Sequence, residues 1–221
     1  MKLSKDTLAI IKNYANINSN LLFKPGNTIS TIAVGSEIMS TVTVAETFPE
    51  QFGIYDVNEL LGALSLFNDP DLTFDDKTLL IKEGNSSIKW FKASEEAIVA
   101  PKKDIVFPEA EIEFKLDSAV LNNILKTAPL LKASDVSFVG NGTTISAVVS
   151  DKKNKTANSY QYEICPSTLV FRVNIKVDNL KLISGNYDVS ISSKKISRFV
   201  SQSVNSLIYY VAIEADSTFE F

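Results

Sequence analysis

The sequence predicts an α+β protein made of two similar domains, with helices packed on one face of antiparallel sheets. Two observations lead to this fold class. A short amphipathic helix opens each half of the 221-residue chain, over Leu3–Asn16 and over Leu116–Ala128. Each helix is followed by segments of alternating polarity that predict strand hairpins, by a second apolar helix and by further strands. A sheet with one apolar face needs helices to cover that face, which gives a two-layer domain in each half.

The first half begins with a capped helix and a hairpin. Ser4 and Asp6 are the candidate N-caps of the first helix, because short polar side chains accept hydrogen bonds from the first free backbone N–H groups. Two alternating segments, Thr28–Val34 and Ile38–Val44, flank a Gly-Ser turn and therefore predict a β-hairpin.

A second helix is predicted in each half. Asp56 precedes an apolar helix over Val57–Phe67, and the segment Val177–Ile183 stands at the corresponding place in the second half. In the second half, Asp117 is expected to cap the opening helix. Pro129 is expected to stop that helix, because proline lacks the N–H group that a helix needs.

A connector separates the two halves. Residues 94–108 contain two prolines and three adjacent charged residues without a hydrophobic period, which is typical of a stiff linker laid along a surface. We therefore predict an N-terminal domain over residues 1–93, a connector over 94–108 and a C-terminal domain over 109–221. The halves resemble each other in the order of their elements and share few identical residues.

Composition argues against several kinds of site. The chain has no histidine, which removes the commonest general base and the commonest neutral metal ligand. Its single cysteine, Cys165, stands in an apolar segment without a histidine to activate it, so we expect an inert thiol. Glycine-rich phosphate loops are absent, and paired acids lie in turns, where solvated side chains are the ordinary explanation. We therefore expect no cofactor, no metal and no catalytic centre.

Charge and hydropathy indicate the compartment. The formal net charge is −4, and the N-terminus lacks the apolar core of a signal peptide. No apolar run reaches the ~18 residues that a membrane-spanning helix needs. We therefore expect an intracellular protein without membrane contact. The acidic balance also argues against an open nucleic-acid-binding surface, unless positive charge is segregated onto one face.

Lysines mark the outer side of both opening helices. Lys5 and Lys12 share one arc of the first helix, because residues seven apart nearly superimpose. Lys115, Asn122 and Lys126 are predicted on the side of the second helix opposite its apolar residues. A charged stripe is ordinarily just the solvated side of a helix. Its occurrence on two equivalent helices, with asparagines and without acids, favours contacts with phosphates that read no base sequence.

The dipeptide Trp90-Phe91 ends a strand just before the connector. Core packing is the ordinary explanation for aromatic residues in a strand. An unpaired edge strand would instead use them to join another chain, which relieves its exposed hydrogen-bonding groups. Both interpretations stay open from the residues alone.

Four stretches of the chain resemble the sliding-clamp family, in particular the DNA polymerase processivity clamps of T-even-type bacteriophages. They are Met1–Thr7 with Lys12, Ile54–Asp56 leading to Leu61-Gly62 and Leu64–Leu66, Val99–Pro101 with Phe107-Pro108, and the C-terminal Tyr210–Thr218. The last stretch is the most specific, because chance rarely gives an identity of that length at a chain end. The resemblance runs nearly from end to end and diverges between these stretches.

The resemblance implies a ring of DNA-clamp domains. Three identical chains would enclose double-stranded DNA, with helices lining the hole and sheets forming the outer wall. A clamp-loader ATPase would open the ring, and the phage DNA polymerase would be tethered to it, in the cytoplasm of the infected bacterial host. In this phage group the clamp also activates late transcription. A topological link needs no overall basic charge, since scattered inner lysines give weak attraction and permit sliding.

The resemblance also assigns residues to three surfaces. The residues that would face DNA are Lys5, Lys12, Lys115, Lys126 and Lys181. The residues that would form an apolar pocket for partner peptides are Val99, Pro101, Ile105, Phe107, Ala212, Ile213 and Ala215. The residues that would join neighbouring subunits are Ile88, Trp90 and Phe91 on one chain and Tyr160, Tyr162 and Ile164 on the next. The helix over Val57–Phe67 carries no lysine and should add little charge to the hole.

Two other functions are compatible with the residues. A phage structural or assembly protein with a duplicated α+β fold would need no DNA contact, and a hydrolase would use carboxylates in its loops. The lysine faces favour the clamp over the structural protein. The sequence shows no catalytic arrangement of acids, which counts against the hydrolase.

Overall fold

The computed structural model describes residues 1–154 and 156–221 and divides the chain into two compact units. The first unit is Met1–Asp104 and the second is Ile105–Phe221. Each unit combines helices with antiparallel sheets, so the α+β class follows from the elements themselves. The boundary falls inside the segment 94–108, which also holds a single 3₁₀ turn at Glu95–Ala97.

The first unit contains two helices and seven strands among its described residues. The helices are α1 (Lys5–Ile17) and α2 (Val57–Leu64). The strands are β1 (Leu21–Phe23), β2 (Gly26–Ile32), β3 (Ile38–Phe48), β4 (Phe52–Ile54), β5 (Asp71–Phe74), β6 (Thr78–Glu83) and β7 (Ser86–Phe91). Strands β4, β1, β2 and β3 pair in that order, and β5, β6 and β7 form a separate three-stranded sheet. The predicted hairpin is therefore confirmed as β2 and β3.

The core of the first unit lies between the two helices and the sheets. Helix α1 buries a stripe at helical spacing that includes Ile11 and Tyr14, both 0% exposed. The buried hydroxyl of Tyr14 forms a hydrogen bond with Ser40 Oγ on β3 at 2.9 Å, which satisfies a polar group inside the core. The rings of Phe23 and Phe52 stack with centroids 4.6 Å apart, which joins β1 to β4.

The second unit contains one α-helix and nine strands among its described residues. The helix is α3 (Ser118–Leu130). The strands are β8 (Ile112–Leu116), β9 (Asp135–Asn141), β10 (Thr144–Ser150), β11 (Ser159–Pro166), β12 (Val170–Lys176), β13 (Tyr187–Ser192), β14 (Ile196–Ser201), β15 (Ile208–Ala212) and β16 (Thr218–Phe219). One sheet has the order β11, β10, β9, β12, β16, and β15, β14, β13 and β8 pair in that order.

Helix α3 covers the first of these sheets. It packs against β9 and β10 and buries Val120, Leu121, Ile124 and Ala128. The rings of Phe114 on β8 and Phe138 on β9 lie 5.1 Å apart and close the core between the two sheets of this unit.

Of the four predicted helix caps, Ser4 and Asp56 are confirmed, whereas Asp6 lies inside the first turn of α1 and Asp117 makes no capping contact. The Ser4 side chain accepts a hydrogen bond from the Thr7 N–H at 3.2 Å, and Asp56 accepts from two N–H groups at the start of α2. Asp117 precedes α3, but its side chain makes no capping hydrogen bond. The Ser118 N–H donates instead to Asn186 Oδ1 at 2.8 Å, so a residue distant in sequence caps this helix.

Helix α3 also continues past the proline that was expected to stop it. Pro129 lies inside the last turn, and the helix ends at Leu130. The Ala133 N–H donates to the Ala128 carbonyl and the Lys132 N–H to the Pro129 carbonyl, with Lys132 at φ +54°. This Schellman arrangement ordinarily uses glycine at the left-handed position, so a lysine there does not predict it.

The predicted second helix of the second half is wrong. The structure has only a 3₁₀ turn at Val177–Asn179, followed by irregular chain. Leu180 and Leu182 are both buried, and a spacing of two residues places them on one side of an extended segment. In α2 the buried residues are Val57, Leu60 and Leu64, whose spacing is that of a helix.

Candidate nucleic-acid interface and partner surfaces

Helix α1 presents a stripe of small and basic residues to solvent. The exposed members include Lys5, Ala9, Lys12 and Asn16, which recur at intervals of three and four residues. The opposite side is fixed by the buried stripe of Ile11 and its neighbours, and the Ser4 cap fixes where the helix begins. Both lysines therefore project from the same side of one rigid element.

Helix α3 presents a comparable stripe in the second unit. Ala119, Asn123, Lys126 and Leu130 are exposed along its outer side. The predicted partner Asn122 is half-buried, and its Nδ2 donates to Ser184 Oγ at 3.3 Å. Two lysines on α1 and one on α3 therefore lie on exposed helix faces, and in α3 the exposed asparagine is Asn123 and not the predicted Asn122.

Lys115 does not lie on helix α3. It belongs to strand β8, where it alternates with the buried residues Phe114 and Leu116 and faces solvent opposite Asp188 of β13. Strand alternation, not helical spacing, decides its direction, so Lys115 shares no helical face with Lys126. Lys181 is also exposed and lies in the irregular segment between the buried residues Leu180 and Leu182.

The lysines on the two helices have no acidic partner among the described residues. No carboxylate in the described part of the chain lies within 4.0 Å of the Nζ atom of Lys5, Lys12 or Lys126. Some lysines elsewhere are compensated, since Lys152 contacts two aspartates and Lys92 pairs with Glu50. The positive charge of the helix faces is therefore available to an anion from outside the chain.

A groove of about 640 Å³ lies between α1 and α2 in the first unit. Leu8, Leu61 and Phe67 supply apolar wall, and Lys5 and Lys12 also line it. No residue pattern in the sequence predicted this groove. Its one available signal was Gly62, which is exposed on α2 and has no atom within 4 Å of the place where a Cβ would stand.

The predicted peptide-pocket residues of the first unit lie in a segment held by asparagines. Asn18 Nδ2 donates to the Val99 carbonyl at 2.8 Å, and the Val99 N–H donates to Asn20 Oδ1 at 2.9 Å. The Val99 side chain remains 41% exposed, and Pro101 is half-buried. The backbone is therefore fixed while the apolar side chain stays accessible.

In the second unit, Phe107 anchors the predicted pocket residues. Its ring lies 6.2 Å from that of Tyr210, and the guanidinium carbon of Arg198 lies 4.6 Å from its centroid. Arg198 also donates from Nη2 to Ser190 Oγ at 3.1 Å. Sequence reasoning missed Arg198, because nothing in the chain order relates it to Phe107.

The remaining pocket residues of the second unit differ in accessibility. Ile105 and Ala212 are half-buried, and Ala215 is exposed. Ile213 is only 6% exposed and belongs to the core. A substitution at Ile213 therefore tests the packing of the unit as much as any partner contact.

The residues predicted to join subunits all lie on edge strands. Strand β7 carries Ile88, Trp90 and Phe91, and strand β11 carries Tyr160, Tyr162 and Ile164. Each strand stands at the end of its sheet. Phe91 is 70% exposed and Tyr162 is 42% exposed, whereas the other four are half-buried. Core packing alone therefore does not account for these aromatic residues.

Three further observations concern metal sites, the cysteine and membrane-spanning helices. Within the described ranges, no group of three or more acidic or cysteine side chains is placed to hold a metal ion. Cys165 is a free thiol and is half-buried in β11. Across residues 1–154 and 156–221, no helix has the length and apolar content needed to cross a bilayer.

The sequence and the fold are similar to those of known proteins. Residues 4–100 match the family described as DNA polymerase processivity factor. The chain is 32% identical to the sliding clamp of Enterobacteria phage T4 and 30% identical to that of Escherichia phage RB69, in both cases over 100% of both chains. The sequence resemblance to phage clamps is thereby confirmed.

A solved structure from another organism has the same fold. The PCNA of A. fulgidus, determined with the C-terminal region of FEN-1 bound, superposes with a TM-score of 0.72 at 15% identity, covering 96% of each chain. The predicted clamp-type α+β fold is confirmed by this likeness. With full-length identity above 30% to a phage sliding clamp, this chain belongs to the sliding-clamp family of DNA polymerase processivity factors.

Proposed function

We propose that three copies of this chain form a ring around double-stranded DNA, and that the ring tethers the phage DNA polymerase without catalysing a reaction. The observation that carries the proposal is the pair of corresponding helices, α1 and α3, whose exposed lysines have no acidic partner among the described residues. Lysines without partners attract phosphates weakly and independently of base sequence, which suits a protein that slides.

The net charge of −4 fits a protein whose basic residues line one surface while its acidic residues lie on the others. If the basic helix faces line the hole, the excess of acids lies on the rest of the protein and discourages DNA from binding there. We assign Lys5, Lys12 and Lys126 to the DNA-facing surface. Lys115 and Lys181 belong to the same proposal at lower priority, because neither lies on a helix.

The proposal includes two kinds of protein partner besides further copies of this chain. A clamp-loader ATPase opens the ring, and the polymerase docks an apolar peptide on Val99, Pro101, Ile105, Phe107, Ala212, Ile213 and Ala215. Such a contact is reversible, because association and ordering costs offset much of the gain from burying a short apolar peptide. The same surface serves late transcription, and all of these events take place in the cytoplasm of the infected host.

Charge reversal of the helix lysines tests the DNA-facing assignment. The variant carries Lys5→Glu, Lys12→Glu and Lys126→Glu, and the measurements are the loading of the clamp onto primed circular DNA and the length of the extended primer. We expect a loss of loading and of extension length, because phosphate attraction becomes repulsion. Each lysine lost should also reduce the salt dependence of DNA association by about 0.9 in the log–log slope per phosphate contact.

The control variant carries the same change of charge at other exposed lysines. Lys24→Glu, Lys77→Glu and Lys194→Glu alter positions outside the helices. We expect this variant to load and extend like the wild type. If both triple variants lose loading equally, net charge alone governs the interaction and the assignment of the helix faces is wrong.

A further inference from the structure

The groove between α1 and α2 has the same pattern of side chains on its two walls. Both walls follow the spacing i, i+3, i+4, i+7, which is one face of a helix. The wall on α1 consists of Lys5, Leu8, Ala9 and Lys12. The wall on α2 consists of Asn58, Leu61, Gly62 and Ser65. Each wall therefore has polar ends, a leucine near its middle and a small residue beside that leucine.

The small residues at the middle of both walls keep the groove open. Ala9 and Gly62 are both exposed. A Cβ on Gly62 would have no atom within 4 Å, so packing inside the unit does not require a glycine there. Glycine in a helix interior lowers stability relative to alanine. Gly62 thus leaves space on α2 that the fold of this unit does not use.

The floor of the groove is apolar. Leu64 and Leu72 contribute to it and are only 8% and 5% exposed. The same two leucines line a second, smaller cavity of about 10 Å³, whose other walls include Phe23 and Phe52. Both the floor and the layer beneath it therefore favour an apolar side chain over water.

Positive charge stands at both ends of the α1 wall. Among the described residues, no carboxylate lies within 4.0 Å of Nζ of Lys5 or Lys12. Asp69 is the only acid among the described residues that line the groove, and Lys2 Nζ contacts it at 2.5 Å. Seven residues of helix separate the two lysines by about 10 Å. The groove thus combines an apolar centre with two unneutralised cations.

We propose that this groove binds an acidic amphipathic helix of a protein partner, with carboxylates at positions i and i+7 and large apolar side chains at i+3 and i+4. Such a helix has the same rise per residue as α1, so its acids reach Lys5 and Lys12 while its apolar side chains lie over Leu8 and Leu61. A small anion would meet only one lysine. The site shares no residue with the apolar pocket assigned to the polymerase peptide.

The groove also shares Lys5 and Lys12 with the proposed DNA-facing surface, and this part of the inference rests on the proposed function. The partner's carboxylates and the DNA phosphates would compete for the same two ammonium groups. The helix therefore binds a clamp that is not on DNA and is released when DNA enters.

Fluorescence anisotropy with the full-length chain and no DNA tests the groove directly. The probe is a labelled peptide of about 15 residues, long enough to form a helix, with the central sequence Glu-x-x-Leu-Leu-x-x-Glu and with alanine and glutamine elsewhere. The control probe has the same composition, with its two glutamates on the face opposite the leucines. We expect saturable binding of the first probe and at least about tenfold weaker binding of the control. Equal binding of the two probes would refute the helical match.

Filling the groove should remove the site. Ala9→Leu places a larger side chain between the two walls, and Ala119→Leu makes the same change at an exposed position of α3. We expect Ala9→Leu to weaken binding of the first probe at least about tenfold and Ala119→Leu to leave it unchanged. Thermal denaturation checks that both variants fold. A folded Ala9→Leu chain that binds like the wild type would place the peptide elsewhere.

A charge swap tests the ion pairs. A chain with Lys5→Glu and Lys12→Glu should lose the first probe and bind a version in which lysines replace both glutamates. A folded variant that still binds the first probe, or that binds neither, contradicts the pairing.

Competition with DNA separates this inference from the proposed function. Saturating probe should reduce loading of the wild type onto primed circular DNA, and unchanged loading would overturn the competition. If the probe does not bind but charge reversal of the helix lysines still abolishes loading, the groove inference fails and the proposed function stands. If the probe binds but charge reversal leaves loading intact, the groove stands and the DNA-facing assignment fails.

Discussion

The Nζ atom of Lys152 lies 2.9 Å from Oδ2 of Asp216. The same ammonium group lies 3.3 Å from Oδ1 of the buried Asp135 on β9. Asn174 Nδ2 on β12 donates to the other oxygen of Asp216 at 3.0 Å, and the Asn174 N–H donates to Ser217 Oγ at 3.0 Å. This network attaches the segment that carries Ala215 to the sheet of the second unit.

The network makes part of the stability depend on pH. The hydrogen bond from Asn174, followed by that from Lys152, lowers the pKa of Asp216 below its ordinary value of 3.8. Partial burial opposes the charge of Lys152, but the hydrogen bond to Asp216 and the attraction of Asp135 outweigh it and raise the Lys152 pKa above 10.5. The contribution is therefore present between about pH 4 and pH 10, and it is lost as pH falls through the lowered pKa or rises through the raised one.

Lys152→Met should lower the free energy of unfolding by about 1 to 2 kcal/mol at pH 7, measured by chemical denaturation. The Asp216 side chain is 55% exposed, so solvent screens most of its share. The larger part of the effect comes from Asp135, which loses its cation inside the protein. The difference from the wild type should shrink below pH 3. Lys153→Met, the exposed neighbour, is the control, and an equal loss there would show that the network is not responsible.

Glu46 on β3 stabilises the N-terminus of α1. Its carboxylate accepts hydrogen bonds from the Ser4 N–H and from Thr7 Oγ1, the latter at 2.5 Å. Partial burial opposes ionisation, but these hydrogen bonds outweigh it and lower the Glu46 pKa below 4.5. The contribution is thus present above pH 4.5 and is lost as pH falls. The same two hydrogen bonds hold the first turn of α1, the helix that carries Lys5 and Lys12.

Glu46→Gln should reduce the free energy of unfolding by about 1 kcal/mol at pH 7, since a charged acceptor at a helix N-terminus becomes neutral. Urea denaturation at pH 7 and at pH 3 measures the effect, which should nearly vanish at the lower pH. Glu37→Gln lies in the hairpin turn between β2 and β3 and should have little effect at either pH. A Glu46→Gln loss that persists at pH 3 would contradict the electrostatic origin.

Substitution by alanine should change the folding stability in opposite directions at two glycines. A Cβ on Gly140 would stand 2.5 Å from Cε1 of Phe171 and 2.6 Å from the Leu169 carbonyl oxygen. Gly140→Ala should therefore destabilise the protein by about 2 kcal/mol. Gly62 is exposed on α2 with open space around it, so Gly62→Ala should stabilise by about 0.5 to 1 kcal/mol through helix propensity. Thermal denaturation of both variants checks the pair, and a stabilising Gly140→Ala would contradict the close packing.

The partner pocket is best tested at an exposed position. Ala215→Asp should lower the affinity for the phage DNA polymerase at least about tenfold, because a charge enters an apolar contact. Its folding stability should change by less than about 0.5 kcal/mol, since the residue is exposed. Co-sedimentation with the polymerase and thermal denaturation give the two measurements.

Ile213→Asp serves as the contrast. It should lower the free energy of unfolding by several kcal/mol, because a carboxylate would replace a buried side chain. Ala45→Asp on β3 controls for an added surface charge and should bind like the wild type. Unchanged polymerase binding by Ala215→Asp would place the docking site elsewhere.

Local signals in the sequence predicted the elements that depend on neighbours in the chain. The caps at Ser4 and Asp56 are visible because an N-cap bonds N–H groups two or three residues away. The hairpin of β2 and β3 is equally local, with Ser36 at φ +65° in the Gly-Ser turn between the two strands. The lysine positions on α1 follow from helical spacing alone. No local signal separates Lys115 from the lysines of the helices. Its position on β8, opposite Asp188 of β13, is what gives it a different direction.

The sequence by itself determined the duplicated order of helices and strands, the basic side of α1 and, through its identity to phage clamps, the family. Only the tertiary structure decided that Asn186 caps α3, that Lys132 closes it beyond Pro129, and that the segment after Val177 is extended. The physical reason is the same in each case. Each outcome depends on hydrogen bonds or burial that local propensity does not report, whether from the distant Asn186 or from a non-glycine residue held at positive φ.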